Sequence, residues 1–406
     1  MHRSHLLALL ALVLPCAAAA QEAAQPGQTR AGELRRQRAE KAAATRPYEP
    51  TALERAITIA EDKAVFLLGR EGLYPKLGSL TTGSGFAFGA GYRNRPIFRY
   101  YGMLDVWAAG SLRKYWGLEA RADFPDLAGG HAFLQAYASR RAYPREDYFG
   151  VGPASRRADH VSFALRTTSF GASGGVRPVK ILSLGAGIDV IQPTVSRGRE
   201  PNIPSIEDAF TDATAPGLAR QPDYIRTSAR LEVDYRQPRN ARRGGWYRLE
   251  FSHYDDRDFD AYAFNRAVLD LRQYFGFLAE RRVIAARAFV WTSDAGAGQT
   301  VPFYLMPTLG GNDSLRGFRE YRFRGPHAIL LQGEYRFEIW SGFEGALFYD
   351  AGKVADRRAD LDLDDLERDY GIGFRFNTNE GVVMRVDAGF GSRDGKHLYI
   401  TFGGVF

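Results

Sequence analysis

The stretch IRTSARLEVDYR, residues 225–236, changes chemical character at nearly every step. Ile225, Thr227, Ala229, Leu231, Val233 and Tyr235 share one face of an extended chain. Arg226, Ser228, Arg230, Glu232, Asp234 and Arg236 share the other, because successive side chains of a strand point to opposite sides. The period returns at 329–339, where Ile329, Leu331, Gly333, Tyr335, Phe337 and Ile339 oppose Leu330, Gln332, Glu334, Arg336 and Glu338. In 382–390, Val382, Met384, Val386, Ala388 and Phe390 oppose Val383, Arg385, Asp387 and Gly389. Two architectures use such strands. A soluble sandwich turns the apolar face into a core. A transmembrane barrel turns it to lipid and lines its lumen with the charged face.

The two ends of the chain decide between these. The N-terminus, MHRSHLLALLALVLPCAAAAQ, has a basic start at Arg3, an apolar run from Leu6 to Leu14 and a small-residue site at Ala18-Ala19-Ala20. This pattern is a secretory signal peptide, too short to span a bilayer, with cleavage expected after Ala20. Cys16 raises a lipidation reading, but Pro15 stands where such a site wants a small residue. The C-terminus reads HLYITFGGVF, with Leu398, Ile400, Phe402, Gly404 and Phe406 on one face and an aromatic residue carrying the final carboxylate. It resembles the terminal strand by which bacterial barrel proteins are handed to their assembly machinery; Gly404 stands where a tyrosine is common.

Composition agrees. Aromatic residues make up 13% of 406 residues and there are 44 glycines, yet mean hydropathy is −0.32, as expected when apolar residues occupy only alternate positions. No stretch after the leader approaches the ~18 apolar residues a membrane helix needs. The net charge of +7 falls to about +6 without Arg3 and reads as a solvated surface and a charged lumen; no basic helix or aromatic RNA-binding motif points to nucleic acid. Cys16 is the only cysteine, so the mature chain has no disulfide or thiolate metal site.

Three regions follow: a signal peptide at 1–20, a periplasmic linker at 21–71, and an all-β, transmembrane antiparallel barrel at 72–406. Within the linker, Thr51-Ala52-Leu53-Glu54 matches a capping box, and Leu53, Ile57, Ala60 and Ala64 continue at helical spacing. A short helix over 51–67 is expected, either resting at the barrel mouth or plugging the lumen. About sixteen strands are expected, near 72–80, 83–93, 98–110, 112–124, 130–143, 160–176, 179–192, 223–237, 244–256, 261–276, 280–293, 327–340, 343–354, 367–377, 381–392 and 396–406. An even number returns both termini to the periplasm. Short turns then fall around Arg177 and Pro178 and at Ser341-Gly342. The long connectors 193–222 and 294–326 are extracellular, and the first, rich in Pro, Asp and Ala, is expected to be mobile.

The second connector contains VPFYLMPTLGGNDSLRGFREYRFRG, residues 301–325, and FYDAG follows at 348–352. On the period-two pattern Phe343, Gly345, Leu347 and Tyr349 face lipid, while Glu344, Ala346, Phe348 and Asp350 face inward. A carboxylate turned into a lumen needs water or a cation, and a guanidinium on an inserted loop suits it because its fork pairs with both oxygens. Gly317 permits a sharp turn beside that arginine.

These residues resemble the BamA/TamA family of outer-membrane assembly proteins, also called the bacterial surface-antigen family. Its signature is an Arg-Gly-Phe or Arg-Gly-Tyr loop folded back into the barrel, meeting a Phe-x-Asp-x-Gly strand. The matching residues are Arg316, Gly317 and Phe318, behind Gly310 and Gly311, and then Phe348, Asp350 and Gly352. Glu334-Tyr335-Arg336 is also similar to short members. The resemblance is strongest over 301–406. It implies a bacterial outer-membrane location, contact with outer-membrane lipid and with the barrel assembly machinery during biogenesis, and a part in inserting or translocating protein or lipid, with the client left open. The seam between first and last strands would be the exit, weakened by Gly403 and Gly404. The alternative is a structural or pore-forming barrel that keeps the fold without the assembly activity. One departure bears on this: residues 21–71 are too short and too helical for even one of the POTRA modules that precede the family's best-known barrels.

No catalytic set, metal site or cofactor motif is visible. His131, His160, His253, His327 and His397 are scattered. Ser252 and His253 are adjacent in a strand and so point to opposite faces, which excludes a relay. Asp362, Asp364 and Asp365 read as a solvated turn. The C-terminal pattern carries a direct test. Deleting Phe406 should lower the heat-modifiable folded protein recovered from outer membranes; an unchanged folded yield would contradict the assignment of that strand.

Overall fold

The computed structural model describes residues 71–81, 83–97, 102–237, 241–340, 342–378 and 381–402, together with the single position Arg36. The leader, most of the linker with its expected helix, Ser341, Gly403, Gly404 and Phe406 lie outside the described residues, as does the side chain of Phe402.

The strands are β1 Gly72–Gly78, β2 Ala87–Ile97, β3 Gly102–Ser111, β4 Trp116–Leu127, β5 Ala132–Tyr148, β6 Val161–Val179, β7 Leu182–Arg197, β8 Tyr224–Asp234, β9 Gly244–Asp256, β10 Phe264–Phe277, β11 Arg282–Ala295, β12 Thr308–Leu309, β13 Phe323–Arg324, β14 His327–Trp340, β15 Phe343–Ala355, β16 Glu367–Thr378, β17 Gly381–Ser392 and β18 Gly395–Phe402. Sixteen of them form one antiparallel sheet in chain order, β11 pairing directly with β14. β12 and β13 form a separate miniature hairpin inside the β11–β14 connector. The sheet curls into a nearly closed barrel. Among the described residues no pairing joins β18 to β1.

The faces sort as a barrel requires. Leu231, Phe251, Phe275, Ile284, Leu347, Tyr349, Ile372, Leu398 and Ile400 are exposed on the outside, while Asp189, Asp270, Glu334, Arg336, Asp350, Arg385 and Asp387 are buried inside. Apolar surface of this extent facing outward is stable only against lipid.

Three local expectations shift. The second strand, expected at 83–93, begins at Ala87, because Gly83 and Gly85 adopt positive φ and the Ser84 hydroxyl accepts from the Leu80 and Thr81 amides, which widens the turn. The turn expected around Arg177 and Pro178 falls instead at Lys180 and Ile181. Arg177 and Pro178 sit within a register shift between Val176 and Val179 at the end of β6, where a residue lacking an amide is tolerated.

The largest correction concerns the connector expected to be mobile. A capping box of Ser205 and Asp208 closes a single turn at Ile206–Asp208, and Arg197 pairs with Asp208 at 2.7 Å. Ile206 and Ala215 pack with Tyr148, Val161, Phe163, Phe303 and Tyr304 into a buried cluster. The Phe303 amide donates to the Pro216 carbonyl at 2.9 Å. The two long connectors thus share a core above the β5–β6 edge. Truncating Ile206 to Ala should cost this cluster about 2–5 kcal/mol. Limited proteolysis of intact cells should then nick residues 198–223 in Ile206→Ala while the parent resists; equal resistance would show that the connectors do not depend on this core.

Candidate functional site

The tip of the second connector is a folded object. The β12–β13 hairpin narrows the chain, and Gly310 and Gly311, with φ of 109° and 100°, reverse it. The Gly311 amide donates to the carbonyls of Leu315 and Phe318, and the Gly310 amide to the Ser314 hydroxyl at 2.8 Å. Leu315 and Phe318 join Leu309, Phe323, Ala328, Leu330 and Val354 in a buried cluster between tip and wall. Gly352 leaves room for this contact, since a Cβ there would lie 3.2 Å from the Leu309 side chain.

Arg316 projects from this tip into the wall and is fully buried. Its Nε and Nη2 donate to the two oxygens of Asp350, each at 2.8 Å, and its own amide also reaches Asp350 at 3.3 Å. Nη1 donates to Glu334 at 2.7 Å. The guanidinium carbon stands 3.5 Å from the centre of the Phe348 ring. Phe348 and Asp350 are successive inward residues of β15, so one strand offers the cation both a flat aromatic face and a carboxylate fork. Gly371 opposes Phe348 across the β15–β16 pair, and a Cβ on it would collide with that ring.

The surrounding charges form a network. Glu334 also accepts from Arg336 and Arg375, each at 2.7 Å. Arg375 continues to Asp387 at 2.6 Å, and Arg385 meets Asp387 at 2.9 Å. Asp369 lies opposite Asp350 in the next strand. Three buried carboxylates, Glu334, Asp350 and Asp387, are thus paired with the buried guanidiniums of Arg316, Arg336, Arg375 and Arg385, while Asp369, equally buried, has no ion pair among the described residues. Gln332 joins the loop to the wall, donating to the Ser314 carbonyl at 2.8 Å and to Asp350 at 3.1 Å.

The backbone of the tip touches the wall directly. A Cβ on Gly317 would fall 2.4 Å from that of Asp369, and a Cβ on Gly389 would fall 2.3 Å from the Arg316 carbonyl oxygen. The tip also reaches the last strand. Tyr399 donates to the Phe318 carbonyl at 2.6 Å, and Asn312 to the Thr401 hydroxyl at 2.9 Å. Beyond it, a cavity of about 680 Å³ opens between the β1–β2 turn, the loop and β18, lined in part by Thr81, Gly83, Glu320, Tyr399 and Thr401. Burial pushes the Glu320 carboxyl up to about 7, and the nearby Asp147 adds to the rise.

The structure thus brings together Gly310, Gly311, Arg316, Gly317, Phe318, Glu334, Arg336, Phe348, Asp350, Gly352, Arg385 and Asp387. Asp369, Arg375, Gly371 and Gly389 were not singled out from the sequence. The alternation of 367–377 would have placed the first two on the inward face; the partners of Arg375, Glu334 and Asp387, lie on other strands and carry no local signal. Among the described residues no group of three or more His, Cys, Asp and Glu is disposed to hold a metal. His253 faces outward against Asn265 while Ser252 is buried, and Asp362 pairs with Lys353.

Removing either partner of the central fork strands a buried charge, which costs about 3–5 kcal/mol. Arg316→Ala and Asp350→Ala should each release the tip, raising external protease cleavage around 310–320. The double variant should be little worse than either single, as coupled residues require. Additive effects would show that the two side chains act independently.

A family model for the Omp85 superfamily domain matches residues 155–403. None of the curated protein sequences matches the chain. Among solved structures, the barrel is similar to BamA from Haemophilus ducreyi lacking POTRA domains 1–3, with 12% identity, a TM-score of 0.58, and coverage of 88% of this chain and 79% of that one. It is also similar to CdiB from Escherichia coli, with 13% identity, a TM-score of 0.51, and coverage of 81% and 61% respectively. CdiB from Acinetobacter baumannii matches at 12% identity and a TM-score of 0.49, over 82% of this chain and 59% of that one. At these identities the structural likeness speaks for the fold, and the family rests on the domain match: the chain belongs to the Omp85 superfamily and is a β-barrel of the Gram-negative outer membrane.

Proposed function

We propose that this barrel acts without enzymatic chemistry, assisting the insertion or translocation of protein or lipid at the outer membrane, and that it works at the seam between β1 and β18. The observation that carries this reading is the seam itself: among the described residues β1 and β18 are not paired. An unpaired strand edge presents a row of amides and carbonyls, a template on which an incoming strand can add. β1 spans only Gly72–Gly78 and β18 only Gly395–Phe402, so few ladder bonds would need to open or form. Loop and seam are linked through the contacts of Tyr399 and Thr401 with the tip. Gly403 and Gly404, next in the chain, would keep the pairing weak.

The alternative is a barrel that forms a pore or serves only as structure. A general porin needs a clear lumen, whereas here the tip lies across from β14 to β18. Two recordings separate the readings. In proteoliposomes the purified protein should speed the folding of an added unfolded barrel protein, and in planar bilayers it should give small, unsteady currents. A stable channel of porin size with no acceleration of folding would favour the pore.

A further inference from the structure

The outer wall of β4–β7 carries a pattern that insertion at the seam leaves unexplained. Its outward residues line up in rows across the four strands. Phe124, Leu134, Gly174 and Ala186 form one row, Ala122, Ala136, Ala172 and Ile188 the next, and Ala120, Ala138, Phe170 and Val190 the third. All twelve are apolar or glycine, and Leu134, Phe170 and Ile188 are about half exposed. The next row changes abruptly to Leu118, Arg140, Thr168 and Gln192, and the one above it to Trp116, Ala142, Arg166 and Thr194.

Arg140 and Arg166 are both exposed on this outward face. They stand diagonally on adjacent strands, since Arg140 pairs with Thr168 and Arg166 with Ala142. Diagonal neighbours in a sheet are close enough for long side chains to interact, and like charges there repel. Some other charges near the extracellular end are compensated, Arg257 by Asp255, Arg358 by Asp294 and Lys353 by Asp362; Arg368 and Lys396 are exposed on the outward face as single charges on β16 and β18, not as a pair on adjacent strands. Neither Arg140 nor Arg166 has a side-chain hydrogen bond or ion pair among the described residues. Glu119, on the adjacent strand opposite Ser139, is buried on the inward side and is engaged by Arg141 at 2.9 Å.

Depth supplies the second constraint. With a rise of ~3.3 Å per residue and a tilt of ~40°, Arg140 lies roughly 20 Å above the periplasmic start of β5 and Arg166 roughly 25 Å. The apolar band of such barrels is about 25 Å tall. The two guanidiniums therefore sit where hydrocarbon gives way to headgroups in the outer leaflet, and their stems can lift the charge further toward water. Trp116 flanks them with its amphipathic ring, 38% exposed.

We infer that Arg140 and Arg166 form a binding site for the phosphate of an outer-leaflet lipid, whose acyl chains lie on the apolar rows below. A guanidinium fork matches two phosphate oxygens, one dianionic group relieves the repulsion of two cations, and the Thr168 and Thr194 hydroxyls are placed to donate as well. The site depends on the membrane placement of the barrel and not on the insertion activity, so lipid retention and client folding can fail separately.

The test is native mass spectrometry of the full barrel released from phosphatidylcholine nanodiscs doped with phosphatidic acid as the phosphomonoester probe. The parent should retain phosphatidic acid. An Arg140→Gln, Arg166→Gln double variant should retain it about tenfold less well, the size expected for lost charged hydrogen bonds, while phosphatidylcholine retention stays equal. Arg257→Gln, which removes a compensated cation, should behave as the parent. Heat-modifiability confirms that each variant is folded. Equal phosphatidic acid retention by the double variant would overturn the site. Complete displacement of the lipid by excess inorganic phosphate would overturn it too, since the apolar rows would then contribute nothing.

Discussion

Everything at the centre of this barrel depends on one buried contact, the fork of Arg316 on Asp350. A guanidinium removed from water is costly, and a carboxylate facing an occluded lumen equally so. Each is tolerable here because the other is held at 2.8 Å through two parallel hydrogen bonds, with Glu334 and the Phe348 ring closing the remaining sides. Such a pair adds little net stability compared with apolar residues of the same volume. Its value lies in specificity: only one placement of the loop satisfies it. The connector between β11 and β14 thereby gains a fixed address inside the barrel.

That address shapes the residues around it. Glycine stands at 317, 352, 371 and 389 wherever backbone or ring must come closer than a Cβ allows. Glu334, Asp350 and Asp387 on β14, β15 and β17 share four arginines, so that each of these three carboxylates has a cation beside it in the low-dielectric interior. The same tip touches β18 through Tyr399 and Thr401. A change in loop position would therefore be felt at the last strand, and under the proposed function any opening of the wall there would disturb these contacts.

Much of this was legible in the sequence, for physical reasons. Side-chain alternation has a period of two, so Asp350, Glu334 and Asp387 could be placed inward from their neighbours alone, and the sixteen-stranded sheet follows from repeating the exercise. The pairing of Arg316 with Asp350 was accessible because, beyond an inward carboxylate and an arginine beside glycine on a long loop, both residues match the loop-and-strand signature of the family that the sequence resembles. What was not legible depends on contacts between distant segments. Ile206 is buried by Tyr148, Phe163 and Phe303, residues with no period or motif in common, so a Pro- and Asp-rich connector read as mobile when it is packed. Arg375 and Asp369 were on the correct face, yet their roles emerge only when β14, β15 and β17 stand beside them. The second strand was misplaced by a turn whose width is set by a single serine hydroxyl at 84.

The position of the loop can be measured directly. With Cys16 replaced, cysteines substituted for Asn312 in the tip and Thr401 in β18, whose side chains are 2.9 Å apart in the native barrel, should be joined by the shortest bis-thiosulfonate reagent in intact outer membranes. The bridged form should be lost when Arg316→Ala is added. Efficient bridging that persists without Arg316 would contradict its role as the anchor. Failure to bridge in a folded barrel would place the loop outside the lumen.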